Sequence, residues 1–184
     1  SSMKFKERQG ETKHFMSWFQ KNGFNIMETI PGVSFEGRGD CLVHFDNLIG
    51  GYGYRTDLLA LEVTAGIIGL SLFELKLIDP RFYHLDTCFA KISKTQAIYY
   101  PGAFKKEEID KLSCIIELIP ISESDAVQFM CNSMLVGDTL LVPSSRSDVA
   151  KILSDKYSVK SLVVEVSEFL KSGGAIQCLC LKLT

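Results

Sequence analysis

The chain has little excess of charge of either sign: 20 basic residues face 22 acidic ones, for a net charge of −2. Nucleic acid and anionic membrane surfaces are held by a basic field, so neither is an expected partner. No apolar run reaches membrane-spanning length; the longest, around Ala65–Phe73 and Ser113–Ile121, are the size of buried strands. The opening Ser1-Ser2-Met3-Lys4 lacks the apolar stretch of a secretion signal, and Ser1-Ser2 reads as an added remnant. Six cysteines are present, yet no CxxC pair and no histidine pair at ligand spacing accompanies them. A disulfide framework and a metal centre are both disfavoured, and a reduced cytoplasmic protein is expected. Only Cys178 and Cys180 lie close in sequence; on a strand they would share a face, which leaves a redox pair open.

What is present is an ordinary globular balance, 46% hydrophobic and 23% charged, in 184 residues, enough for one domain with a real core. Phe15, Trp18 and Phe19 recur at helical spacing and predict a helix over Glu11–Gly23. A strand is expected over Phe24–Ile30, then a hairpin of Cys41–Phe45 and Leu48–Gly51 around Asp46-Asn47. Asp57–Leu70 reads as a helix broken at Gly66 and Gly69, and Leu72–Leu77 as a strand. The same order returns. Phe89–Ile92 and Ala97–Tyr100 pair, Ala103–Lys111 is helical, and Ile115–Ile119 is a strand. After a short helix over Asp125–Asn132, Ser133–Val136 and Thr139–Val142 form a third hairpin across Gly137-Asp138. A helix over Arg146–Lys156 and strands over Ser161–Glu165 and Ala175–Leu183 follow. This is a mixed α/β repeat of hairpin, helix and strand, each unit too small to bury its own core. Such units pack round a common axis, and a site is expected where their loops converge.

Three segments carry residues fit for chemistry. In Phe82-Tyr83-His84-Leu85-Asp86-Thr87, an extended backbone would place His84 and Asp86 on one face. A histidine exchanges protons near neutral pH and a carboxylate holds a cation, although a lone His-x-Asp is more often a core or surface feature. Phe35-Glu36-Gly37-Arg38-Gly39-Asp40 sets two carboxylates in a glycine-rich turn, where the commoner explanation is backbone that needs positive φ. Ser172-Gly173-Gly174-Ala175-Ile176-Gln177-Cys178 is more specific, since glycines let backbone approach a ligand and Cys178 stands just beyond them at a strand start. Cys41, Cys88, Cys114, Cys131 and Cys180 are expected to be buried core residues.

Taken together, the Glu-Gly-x-Gly-Asp turn, the run Phe82–Phe89 and the C-terminal Gly-Gly-Ala-x-x-Cys resemble the amidinotransferase, or pentein, superfamily. Glu7-Arg8-Gln9-Gly10-Glu11, Gly51-Tyr52-Gly53-Tyr54-Arg55-Thr56-Asp57 and Ser167-Glu168-Phe169-Leu170-Lys171 are similar to its short arginine dihydrolase and dimethylargininase branch. The resemblance covers essentially the whole chain. It implies a pentein-type α/β propeller, here N-terminally incomplete, with residues 1–184 forming a single partial domain.

The resemblance also implies a guanidine-modifying hydrolase acting on arginine or a close derivative. Cys178 matches the nucleophile, His84 the general acid and base, and Glu36 the acidic residue that orients histidine or substrate. Asp86 matches a carboxylate that pairs with guanidinium. Arg55 matches a clamp for a substrate α-carboxylate. Asp40 falls among the substrate-binding positions, although bracing the glycine turn is its simpler role. No metal or other cofactor is implied, because a thiolate supplies the nucleophile. Relatives carry a further module before the segment equivalent to Lys4–Gly10 that adds an Asp or Asn to the site, and this chain starts after it. Beyond the guanidino substrate, a homodimer or association with that missing module is the partnership expected. The alternatives are a catalytically weakened pentein-fold binding domain and an amidinotransferase that passes the amidino group to an amine.

Overall fold

The computed structural model describes residues 2–27, 30–144 and 148–183, and the chain divides into two compact units, Ser1–Leu75 and Lys76–Thr184. In the first, α1 (Lys6–Gln9) leads into α2 (Glu11–Lys21). The end of α2 is closed by Asn22, whose side chain donates to the Trp18 carbonyl at 2.8 Å. Phe24 then turns back, donating its N–H to the Phe19 carbonyl at 3.0 Å and meeting the Phe19 ring edge-on at 5.3 Å. The strand expected over Phe24–Ile30 is absent among its described residues, because Phe24 closes the helix instead of entering a ladder. Glu28 and Thr29 of that expected strand lie outside the described residues.

The hairpin forms as the turn chemistry predicts. Strands β1 (Cys41–His44) and β2 (Asn47–Tyr52) pair antiparallel with Cys41 opposite Gly50 and His44 opposite Asn47. Next, α3 (Leu58–Ile68) runs through Gly66 without a break and ends at Gly69, whose φ of +70° is the left-handed C-cap that glycine adopts at least cost. The helix carries Leu61 and Ala65 inward, four residues apart on one face. A Cβ on Gly50 would stand 2.8 Å from Leu61 Cδ1, so the bare backbone of β2 is what lets α3 settle on it. Strand β3 (Ser71–Lys76) completes a sheet of order β1-β2-β3.

The second unit repeats the scheme twice. Strands β4 (Phe89–Lys91) and β5 (Gln96–Tyr99) pair antiparallel, helix α4 (Lys106–Leu112) crosses over, and β6 (Glu117–Pro120) joins β5 in parallel. Helix α5 (Glu123–Ala126) is capped by Ser122, whose Oγ accepts the Asp125 N–H. It is shorter than the helix expected over Asp125–Asn132 because Phe129 takes a left-handed φ of +59°, which no helix continues through. Then β7 (Met134–Val136) and β8 (Thr139–Val142) pair antiparallel, α6 (Val149–Tyr157) crosses over, and β9 (Lys160–Val163) joins β8 in parallel. Arg146, the expected start of that helix, lies outside the described residues.

A parallel return needs a crossover long enough to hold a helix, and each unit supplies one. The α/β repeat of hairpin, helix and strand thus appears as three separate three-stranded sheets. After α7 (Ser167–Leu170), the strand expected over Ala175–Leu183 is replaced by a single 3-10 turn, Gln177–Leu179. Beneath that turn Val166, Ala175 and Ile176 form an apolar cluster joined by Phe129, Met134 and Leu170. The described helices include none long and apolar enough to cross a membrane.

Candidate functional site

The turn that carries Cys178 is built by hydrogen bonds that a ladder would otherwise use. Asn132, fully buried just before β7, accepts the N–H groups of Ala175 at 2.9 Å and Cys178 at 3.1 Å on its Oδ1. Its main-chain carbonyl accepts the Gln177 N–H at 3.1 Å, and Leu179 N–H returns to Ala175 and Ile176. With these donors taken mainly by Asn132, the segment curls where alternation predicts a strand. Cys178 therefore does not share a strand face with Cys180.

Gly173 and Gly174 shape the approach to the thiol. Gly173 has φ +80° and its carbonyl accepts the Tyr83 hydroxyl, which ties the segment before His84 to the Cys178 loop. A Cβ on Gly174 would stand 3.1 Å from Cys178 Cβ and 3.3 Å from Sγ, tighter than ordinary packing. A side chain there would force the sulfur or the turn to give way.

His84 ends an extended stretch, with φ −127° and ψ 152°, and caps a 3-10 turn over Leu85–Thr87. The expected extended face shared by His84 and Asp86 is thus interrupted after His84. Thr87 fixes the turn by donating both its N–H, at 3.1 Å, and its hydroxyl, at 2.6 Å, to the His84 carbonyl. The His84 ring is largely buried and lies edge-on to Tyr83 at 5.1 Å. The turn swings Asp86 toward the thiol, so that Cys178 Sγ stands 4.0 and 3.9 Å from the two carboxylate oxygens.

Asn132 completes the arrangement. Its Nδ2 donates to the Asp86 main-chain carbonyl at 3.0 Å and to Cys178 Sγ at 3.2 Å. Burial of the sulfur first, and the neighbouring Asp86 charge second, push the Cys178 thiol up to about 11, while the Asn132 bond opposes them. The resting group is a thiol beside a carboxylate, a place suited to a cation.

Glu36, Asp40 and Arg55 belong to the first unit. The Glu36 side chain is almost fully enclosed and accepts Arg55 Nη1 at 2.7 Å on Oε2, with Arg8 Nη1 at 3.6 Å. Its Oε1 accepts the Lys4 N–H at 3.0 Å. Arg8 also grips Glu11 through two bonds of 2.9 Å, and that pairing holds the Glu11 carboxyl below the usual range. Arg55 additionally lies 4.6 Å over the Phe5 ring. Buried Asp40 accepts the Thr56 hydroxyl at 2.7 Å, and Thr56 Oγ1 accepts the Glu36 N–H at 3.2 Å, so Asp40 braces the glycine turn beneath Glu36.

Two features escape a reading of the sequence. Asn132 looks like the end of a short helix; the one hint is an amide following the apolar run Phe129-Met130-Cys131. Tyr83 is read only as part of a motif, yet it anchors Gly173. The cysteines divide differently from expectation: Cys88 and Cys131 are buried, Cys41 is partly so, and Cys114 and Cys180 are exposed. Cys114 sits in the turn after α4 and Cys180 beyond the 3-10 turn.

Comparison with known proteins agrees across the whole length. The family model described as N,N dimethylarginine dimethylhydrolase, eukaryotic, matches residues 1–184. The bifunctional arginine dihydrolase/ornithine cyclodeaminase AgrE of Nostoc sp. is 38% identical over 184 residues, covering 97% of this chain and 26% of its own length. The N(G),N(G)-dimethylarginine dimethylaminohydrolase of Mycobacterium tuberculosis is 34% identical over 181 residues, covering 98% of this chain and 59% of its own. This chain thus spans about a quarter of the bifunctional relative. Among solved structures, the product-bound N-terminal domain of ArgZ, a cyanobacterial arginine dihydrolase, superposes with a TM-score of 0.94 at 38% identity. That match covers 100% of this chain and 69% of that one. The same domain has been solved covalently bound to a reaction intermediate, and as a cysteine-to-serine mutant bound to substrate.

Proposed function

The chain belongs to the N,N dimethylarginine dimethylhydrolase family, and from that premise we propose that it hydrolyses the guanidino group of arginine or a close derivative through Cys178. The observation that carries this reading is the Cys178 sulfur set within 4.0 Å of both Asp86 oxygens, on a turn fixed by Asn132. A guanidinium is a planar cation whose N–H edge suits a carboxylate, so Asp86 pairs with it and brings its central carbon to the sulfur. The arriving positive charge also favours the thiolate that burial and the Asp86 charge disfavour.

The thiol proton passes to solvent, sulfur bonds to the guanidinium carbon, and the carbon–nitrogen bond to ammonia or a methylated amine breaks. His84 delivers the proton that lets the amine leave. Water adds to the resulting amidino-thioether, His84 takes its proton, and the carbon–sulfur bond breaks to release a ureido product and restore the thiol. By the resemblance Arg55, which donates to Glu36, is the position proposed to take a carboxylate, and Asp40 is the brace under the turn. An α-carboxylate favours amino-acid substrates over agmatine.

The three hairpin–helix–strand sheets support a pentein-type propeller of which each sheet is one blade. Six free thiols support a reducing, cytoplasmic setting. Association with a second copy or with an N-terminal module is part of the same proposal, and sedimentation velocity reads it directly.

The test is incubation with arginine and with methylated arginines, measuring citrulline, ornithine and ammonia, with Cys178→Ser as control. Product from the native chain and none from the variant is expected. Product that forms only with an added amine would make the protein a transferase. Absence of product at every substrate, with no covalent adduct by mass spectrometry, would overturn the enzyme reading for this chain.

A further inference from the structure

We propose that Asn132 is a positioning residue for the reaction of Cys178, its oxygen fixing the turn and its nitrogen donating to the sulfur. The inference rests on Cys178 being the reacting thiol, and it concerns how that thiol is held and ionised. One carboxamide makes four bonds: two accepted from the Ala175 and Cys178 N–H groups, and two donated, to the Asp86 carbonyl and to Sγ. It thereby joins the three segments that bear Asp86, Asn132 and Cys178 at one buried point. The 3.2 Å contact is well inside the range for a bond to sulfur. A donor aimed at sulfur stabilises the thiolate more than the thiol, because the bond becomes charge-assisted on ionisation. It therefore offsets Asp86, whose carboxylate faces the sulfur; His84, the proposed acid and base, is the other titratable group of the site, and residues 173–176 on the adjoining segment carry no charge. Two anions so close would otherwise resist each other through the formation of the thiolate.

The direction of a pH shift separates this role from simple bracing. If Asn132 only braced the turn, Asn132→Ala would loosen it, expose the sulfur and move its ionisation down toward that of a free cysteine. Loss of the donor moves it up. The experiment measures the rate of Cys178 carboxamidomethylation by iodoacetamide against pH, in the full chain and in Asn132→Ala, with Cys178→Ser as the blank for other thiols. An upward shift of about one unit, equivalent to roughly a tenfold slower reaction at any pH below the midpoint, is expected. An unchanged or lowered midpoint overturns the proposal.

Should Asn132→Ala fail to fold by circular dichroism, the unaltered protein still decides the matter. The Asn132 side-chain amide resonances, followed by nuclear magnetic resonance, are expected to shift with pH along the same curve as alkylation, and to stay fixed in Cys178→Ser. Resonances that do not follow the thiol overturn the proposal. Because alkylation needs no turnover, a protein inactive on every guanidino compound can still pass or fail this test.

Discussion

Cys178 lies on an exposed turn, and its partly buried sulfur stands beside Asn132 and Asp86. Partial burial and the Asp86 charge explain why the thiol resists ionisation and why a cation at Asp86 would release it. Asp86→Asn removes the negative charge and keeps the shape, so the Cys178 midpoint in alkylation should fall from about 11 toward the ordinary 9.0. The same variant should lose turnover, because the guanidinium loses its partner. A midpoint that stays in place would show burial alone to be responsible. At this scale the sequence was readable where chemistry and backbone coincide: two glycines before a cysteine singled out Cys178, the thiol that stands beside Asp86 and Asn132. Asn132 was not readable, because its importance lies in bonds to residues 46 positions before it and 46 after.

Among the elements, local signals succeeded and long-range ones did not. The hairpin across Gly137-Asp138 was predictable because the turn itself dictates it, with Gly137 at φ +60°. The C-terminal strand was not, since a remote carboxamide takes the N–H groups that a ladder would need. The extended His84–Asp86 face failed for a related reason: Thr87 caps the His84 carbonyl and winds the next three residues into a turn. The Cys178 turn invites a direct test through Gly174→Ala. The added methyl would crowd Cys178 Cβ and Sγ at 3.1 and 3.3 Å, so either the sulfur or the turn must move. Overpacking of this kind costs about 1–3 kcal/mol, and Cys178 alkylation should change several-fold while far-UV circular dichroism stays the same. An unaltered alkylation rate would mean that the turn adapts without moving the sulfur.

Over the whole molecule, the repeated hairpin, helix and strand was legible in the order of apolar runs and turn signals, and it recurs in both compact units. Three cysteines share a physical state: burial pushes Cys41 up to about 12, Cys131 higher still, and Cys178 up to about 11. Each binds its proton more tightly folded than unfolded, where the ordinary value is 9.0. Their contribution to stability is therefore complete below about pH 9 and is lost as pH rises through the folded values. Melting temperature should decline from pH 9 to 11, and Cys178→Ser should decline less steeply. Equal slopes would remove Cys178 from the account of alkaline stability.

The proposed reaction turns on a covalent bond between Cys178 and a guanidino carbon. Intact-protein and peptide mass spectrometry after rapid acid quench, with arginine and with dimethylarginine in turn, would trap it. An adduct equal to substrate minus its leaving amine is expected on the peptide that contains Cys178, absent in Cys178→Ser and decaying as citrulline accumulates. No adduct with either substrate, or product formed at the native rate by Cys178→Ser, would rule the covalent route out.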